Sequence, residues 1–121
     1  MAGELFKIDT VVADGVSIPI EDGSGSLVGA AGFENEIVPS ASGDDFTRRR
    51  RVPRQLRCRI QFGPTVNPAA FAAMTDIQIT VRDQASGRRA MAPRCSFASM
   101  GEIGAGPVDV TWNLLAALQW L

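Results

Sequence analysis

The sequence predicts a single, mostly β domain, an antiparallel sandwich or barrel with one short helix and a long projecting loop. Polar and apolar residues alternate over several segments, and turn signals recur about every ten residues. Only one short stretch of helix-forming residues follows a residue that can cap a helix. A chain of 121 residues suits one core, since a domain of this size buries roughly two thirds of the surface of its unfolded chain. We therefore expect one domain over residues 1–121.

The first two predicted strands form a hairpin. Residues 6–12 form the first strand, residues 13–15 supply a tight turn, and residues 16–20 alternate in the second strand. Pro19 has no amide hydrogen to donate. The second strand should therefore lie at a sheet edge or end at this proline.

A long segment, about residues 34–54, interrupts the strand pattern with Pro39, Gly43 and a concentration of charge. Loops longer than about 12 to 15 residues are uncommon in compact domains and tend to be functional. We expect the segment to project, as a loop or a stretched hairpin, and to contact another chain. Its charged candidate residues are Asp44, Asp45, Arg48, Arg49, Arg50 and Arg51.

The second half of the chain carries the clearest strand signals. Residues 55–62 alternate, residues 77–82 and 88–100 form a hairpin, and residues 108–114 form a closing strand. Between the first two strands, a cap residue followed by proline predicts a short helix over residues 67–74. The expected core-facing residues are Leu56, Cys58, Ile60, Phe62, Ile77, Ile79, Val81, Val108, Val110, Trp112 and Leu114. The apolar end that follows should pack within the subunit or against another one.

The composition argues against an enzyme, a cofactor or a metal site. The chain has no histidine and a single lysine, Lys7, so the commonest catalytic bases are missing. Cys58 and Cys95 are far apart in sequence, and we expect both to be buried free thiols. Residues 101–107 are rich in glycine but lack the following helix that a phosphate site requires. These features predict a protein without catalytic residues.

Charge and hydropathy also limit the partners. The formal net charge of −1 gives no overall attraction to nucleic acid or to anionic lipid. No apolar run approaches the roughly 20 residues that a bilayer span needs. The first residues lack the pattern of a secretory signal. We therefore expect no membrane contact and folding in a cytoplasm.

The basic run of residues 48–51, continued by three arginines up to residue 59, allows three interpretations. It is a nucleic-acid patch or nuclear localisation signal, a surface that pairs with carboxylates of a neighbouring subunit, or a solvated charged loop. Aromatic residues for base stacking are scarce, with only Phe46 and Phe62 nearby, and carboxylates offset the charge. The guanidinium fork suits interface ion pairs, which favours the second interpretation.

The pattern of strands and turns resembles the tail tube proteins of Mu-like phages and their relatives. The resemblance covers about two thirds of the chain. It rests on residues 77–87, residues 90–98 with Pro93, the loop that ends in Gly106, residues 108–116, and more weakly on residues 13–15 and 33–60.

This resemblance implies a β-barrel or sandwich with one flanking helix and no enzymatic activity. It implies that six copies form a ring and that rings stack into a hollow tube through which the genome leaves the capsid. The expected partners are other copies of the chain and the tail's tape measure, terminator, and initiator or distal tail proteins. DNA would pass through the lumen without specific binding. The expected location is the tail of the virion, and the host cytoplasm during assembly.

Within such a tube, the charged residues of the long loop would contact the adjacent ring and both chain ends would join neighbouring subunits. The end residues are Leu5, Phe6, Trp120 and Leu121. A lumen that lets DNA slide should carry few fixed positive charges. The expected lumen-lining residues are therefore Asp109, Thr111 and Asn113, in preference to Arg57 and Arg59.

Three alternatives remain open at this point, of which an enzyme of unknown type is the one that the composition favours least. The first is a related ring-forming tube protein of a bacterial secretion or injection machine, which uses the same barrel. The second is a monomeric β-barrel that binds single-stranded nucleic acid through its arginine-rich strand and loop. Salt-dependent binding by an isolated monomer would support the second alternative.

Overall fold

The computed structural model describes residues 5–64 and 67–121. Within them the chain forms ten strands and one short helix, which confirms the predicted mostly β, antiparallel domain. The strands are β1 Thr10–Ala13, β2 Val16–Ile18, β3 Ser26–Val28, β4 Phe33–Val38, β5 Phe46–Arg51, β6 Arg54–Ile60, β7 Ile77–Arg82, β8 Arg89–Met100, β9 Val108–Leu114 and β10 Gln119–Trp120. The helix, α1, spans Pro68–Ala72.

The main sheet closes on itself as a barrel. Its strand order is β2-β1-β7-β8-β9-β6-β3, and every neighbouring pair is antiparallel. One edge of β6 pairs with β9 over its whole length. The other edge pairs with β3 and, at its far end, with the chain beyond β2, where Ile20 bridges to Ile60. Because the chain just beyond β2 is joined to β6 in this way, the two ends of the sheet meet.

Strand β8 is the longest and connects the two halves of the barrel. Its first half pairs with β7, and its second half pairs with β9. β10 follows β9 along the same edge of β8, with Trp120 opposite Ala90. The apolar end of the chain is therefore a short strand of the barrel sheet.

The core lies inside the barrel and is built from alternate strand residues. Trp112 is fully buried, and Phe71 of α1 packs against it with ring centroids 6.0 Å apart. Asn67 caps α1 by accepting a hydrogen bond from the Ala69 N–H at 3.0 Å, as predicted. The other fully enclosed residues include Val11, Leu56, Ile60, Ile79, Cys95, Val108 and Val110.

The opening hairpin turns as predicted, but its first strand is shorter than expected. Asp14 and Gly15 have φ angles of 51° and 79°, the pattern of a type I′ turn between paired Ala13 and Val16. β1 begins at Thr10, so the prediction of a strand from residue 6 is wrong. Residues 5–9 instead run along the barrel as an arm held by side-chain hydrogen bonds, described below. β2 ends at Ile18, directly before Pro19.

Candidate functional site

The long segment predicted to project is a two-stranded hairpin with its own small sheet. β4 and β5 pair over six positions, from Phe33 opposite Arg51 to Val38 opposite Phe46. All six residues of β5 are exposed. We call residues 33–51 the projecting hairpin. Its apolar side chains are not enclosed, since Ile37 is 72% exposed and Phe46 is 65% exposed.

A tight neck joins the projecting hairpin to the barrel. Gly29 and Gly32 have φ angles of 67° and 81°, and the Gly32 N–H donates to the Gly29 carbonyl at 2.9 Å. The Gly32 carbonyl then accepts a bond from the Val52 N–H, also at 2.9 Å. A Cβ atom on Gly29 would meet the Pro53 carbonyl oxygen. Only glycine combines this backbone angle with such a close approach.

The two faces of the projecting hairpin differ in how their arginines are engaged. On one face, Arg48 pairs with Glu36 at 2.8 Å and Arg50 pairs with Glu34 at 3.1 Å. On the other face, the guanidinium of Arg49 lies 3.8 Å from the centroid of the Phe33 ring. Two of the four predicted contact arginines thus have carboxylate partners inside their own hairpin.

The remaining charged candidates carry no such partner. In the described part of the chain, neither Arg49 nor Arg51 forms an ion pair, and the same holds for Asp44 and Asp45 at the hairpin's tip. All four are exposed. These residues are therefore free to meet charges on another molecule.

The structure brings together two residues that lie near opposite ends of the sequence, Phe6 and Trp120. The rings of Phe6 and Trp120 pack edge to face with centroids 5.3 Å apart, and the Arg88 guanidinium lies 5.5 Å and 5.6 Å from them. Leu5 is 92% exposed and Leu121 is 63% exposed. We call Leu5, Phe6, Trp120 and Leu121 the terminal patch. The sequence predicted that all four residues join subunits, but it did not predict that they lie close to one another.

Two aspartates hold the N-terminal arm in place, and sequence reasoning missed both. The Asp83 carboxylate accepts hydrogen bonds from the Lys7 N–H at 3.3 Å, the Ala85 N–H at 3.1 Å and the Ser86 hydroxyl at 2.9 Å. The Asp9 carboxylate accepts one from the Gln84 N–H at 3.0 Å. An aspartate opening the β7–β8 turn was the only sequence signal.

Burial and hydrogen bonding act in opposite directions on Asp83. Desolvation alone would raise the pKa of this carboxyl, but the bonds donated by Lys7, Ser86 and Ala85 outweigh it and lower the pKa. The carboxylate is therefore the form that the folded arm requires.

The three expected lumen residues lie on the outer face of β9. Each stands opposite a residue of β6: Asp109 opposite Arg59, Thr111 opposite Arg57, and Asn113 opposite Gln55. Arg59 Nε lies 3.1 Å from an Asp109 oxygen. The three residues favoured for a lumen therefore lie on the same sheet face as Arg57 and Arg59, the two arginines that were expected to lie elsewhere. A depression of about 560 Å³ crosses this face.

The cysteines have the burial expected of free thiols. Cys58 and Cys95 are both buried and unpaired. Burial raises the pKa of Cys58 to about 12 and that of Cys95 to about 11. Both groups stay protonated near neutral pH and are poor nucleophiles.

Within residues 5–64 and 67–121, no group of three or more histidine, cysteine or carboxylate side chains is arranged to hold a metal ion. No α-helix in the described ranges has the length and apolar character that crossing a membrane requires. The sequence matches no model of a known protein family, and no curated protein is significantly similar to it.

Proposed function

We propose that this protein is a self-assembling structural subunit, the tail tube protein of a phage, which forms hexameric rings that stack into a hollow tube. The observation that supports this proposal most is the projecting hairpin. It extends from a closed barrel, keeps its apolar side chains exposed, and is held to the barrel by a close-packed glycine neck.

The projecting hairpin has the properties of a segment that is completed by a partner. An isolated two-stranded hairpin is marginally stable in water. Its unpaired strand edges are also templates for pairing with another chain. Exposed Phe46 and Ile37 add apolar area that the barrel does not cover. A structural subunit would bury this area in the assembly, with a gain of about 25 cal/mol for each Å² removed from water.

A tube of stacked rings requires several contact surfaces on each subunit. A ring closed by heterologous contacts uses two different surfaces, and stacking uses two more. The projecting hairpin and the terminal patch are available for these contacts. Other copies of the chain would be the main partners, together with the tape measure, terminator and initiator proteins of the tail.

The assignment of the lumen changes in the light of the strand register. Asp109, Thr111 and Asn113 would line the lumen only together with Arg57 and Arg59, since the five share one face. The ion pair between Arg59 and Asp109 offsets one positive charge there. We propose this mixed, hydrogen-bonding face as the wall along which DNA slides without specific binding, in a virion tail assembled in the host cytoplasm.

A ring-forming tube protein of a bacterial secretion or injection machine would use the same surfaces. The identity of neighbouring genes separates this alternative from a phage tail. Nucleic-acid binding by a monomer is supported less, because Arg48, Arg50 and Arg59 each have a carboxylate partner within the chain.

Light scattering coupled to size exclusion, followed by negative-stain electron microscopy of the purified protein at low and high concentration, tests the proposal. We expect hexameric rings or hollow tubes. A matched control replaces residues 34–50 with Asn-Gly, a two-residue turn that suits the paired Phe33 and Arg51. This variant should fold but stay monomeric. A wild-type protein that remains a monomer at all concentrations would contradict the proposal.

A further inference from the structure

We propose that the tip of the projecting hairpin of one copy binds the terminal patch of a second copy. The inference rests on the proposed self-assembly and names the pair of surfaces that meet. The hairpin tip, residues 37–46, and the terminal patch are both exposed and apolar, and their charges are opposite.

The hairpin tip is apolar and acidic. Ile37 and Phe46 are 72% and 65% exposed. Asp44 and Asp45 directly precede Phe46, and residues 37–46 contain no lysine or arginine. Neither aspartate is held by an ion pair in the described ranges. The tip therefore presents two uncompensated negative charges beside exposed apolar side chains.

The terminal patch is apolar and basic. Arg88 lies against both of its aromatic rings, which holds a positive charge at the patch. Arg82 and Arg89 stand directly opposite each other at the same end of the β7–β8 hairpin, and Leu121 donates its backbone N–H to the Arg89 carbonyl at 3.0 Å. Across residues 5–64 and 67–121, none of these three arginines forms an ion pair.

Two carboxylates that hold the N-terminal arm are already occupied. Asp83 accepts bonds from Lys7, Ala85 and Ser86, and Asp9 accepts one from Gln84. These bonds also fix the N-terminal arm, so that Phe6 stays against Trp120. The terminal patch is therefore held in a defined arrangement before a partner binds. This reduces the conformational entropy that is lost on binding.

The charges select which surfaces meet. Two terminal patches facing each other would oppose arginines to arginines, and two tips would oppose aspartates to aspartates, each at a cost in free energy. The tip against the patch places carboxylates beside guanidinium groups and apolar side chains beside aromatic rings. This contact is heterologous, so it leaves one free tip and one free patch and propagates to further copies.

A charge exchange tests the contact. The tip variant carries Asp44→Arg and Asp45→Arg; the patch variant carries Arg88→Asp and Arg89→Asp; a third chain carries all four substitutions. Alone, each two-substitution variant should need a concentration at least about tenfold higher than wild type to assemble, because its two surfaces carry like charge. An equimolar mixture of the two variants should assemble, and so should the chain with all four substitutions.

Each outcome has a separate meaning. If both two-substitution variants assemble like wild type, or if the mixture and the four-substitution chain stay monomeric while wild type assembles, the tip–patch contact is wrong and the tube proposal stands. If wild type itself never assembles, the proposed function fails first. Glu102→Arg, the same change of charge as one tip substitution but at an exposed loop residue outside both surfaces, should leave assembly unchanged.

Folding of the patch variant needs its own control, since Arg88 contacts two aromatic rings. A patch variant with Arg82→Asp and Arg89→Asp leaves those contacts intact and should give the same mixing result. Failure of this second patch variant to assemble with the tip variant would overturn the contact. Circular dichroism should show an unchanged β spectrum for every chain that is compared.

Discussion

Strands β5 and β6 are neighbours in the sequence and rich in arginine, yet they differ in burial. β5 is exposed at every position, whereas β6 buries Leu56, Cys58 and Ile60 and exposes the arginines between them. The difference lies in the alternate residues, because four consecutive arginines leave β5 no apolar face to bury. Arginine content alone therefore says little; the side chains between the arginines decide whether a strand joins the barrel.

This comparison separates stability from assembly. The barrel contains the enclosed side chains of the molecule, and the projecting hairpin contributes exposed ones. The free energy of unfolding should therefore depend on the barrel, while the association of copies should depend on the hairpin. Substitutions that affect one property and not the other test this separation.

The largest expected effect is in the core. Trp112→Ala removes a fully buried side chain, and we expect a loss of about 3–5 kcal/mol in the free energy of unfolding. Phe46→Ala, at the exposed tip, should change it by less than about 0.5 kcal/mol in the monomer. Urea denaturation followed by circular dichroism measures both. A comparable loss for the two variants would show that the hairpin also stabilises the barrel.

The next effect concerns the neck. Gly29→Ala places a Cβ against the Pro53 carbonyl at a positive φ, whereas Gly15→Ala, in the β1–β2 turn of the barrel, meets the same kind of angle in open space. We expect both to be destabilising by about 1–2 kcal/mol from the backbone angle, with a further cost for Gly29→Ala alone. Equal urea midpoints for the two variants would contradict a close-packed neck.

A smaller effect, visible through pH, concerns the N-terminal arm. The pKa of Asp83 is lowered in the folded protein, so its stabilising contribution is complete above the unfolded value of about 3.9. The contribution is lost as the pH falls through the folded pKa. Asp83→Asn should lower the urea midpoint at neutral pH. It should also make the urea midpoint change less as the pH is lowered into the acid range. An unchanged acid dependence would show that Asp83 does not hold the arm.

The smallest effect is expected on the hairpin face with ion pairs. Arg48 and Glu36 are largely exposed, with 67% and 38% of their side chains accessible. Exposed pairs of this kind contribute about 0.2–1 kcal/mol and are screened by salt. A double-mutant cycle with Arg48→Gln and Glu36→Gln measures the coupling free energy between these two side chains. A coupling well above that range would mean that the hairpin stabilises itself more than its exposure indicates.

Local pattern was sufficient to predict much of the barrel. The alternation in β6 and β9 identified their buried faces, and Asn67 before Pro68 identified the helix cap. These signals depend on residues close in sequence, where the period of a strand or the geometry of a cap is fixed by the backbone.

Features that depend on distant pairing were not predictable in the same way. The bridge between Ile20 and Ile60 closes the barrel across 40 positions of sequence, and no local pattern encodes it. The register of β6 against β9 places Asp109 opposite Arg59, which the alternation of either strand alone does not show. Both chain ends were predicted as contact residues, but the packing of Phe6 on Trp120 requires the folded arm.

Hydrogen exchange of the hairpin amides, before and after assembly, tests the separation of barrel and hairpin most directly. In the monomer, the amides of β4 and β5 should exchange much faster than those of β6 and β9. In the assembled protein, exchange in the hairpin should slow markedly, while the barrel changes little. A hairpin already protected in the monomer, or one that stays unprotected in the assembly, would contradict its role as an assembly surface.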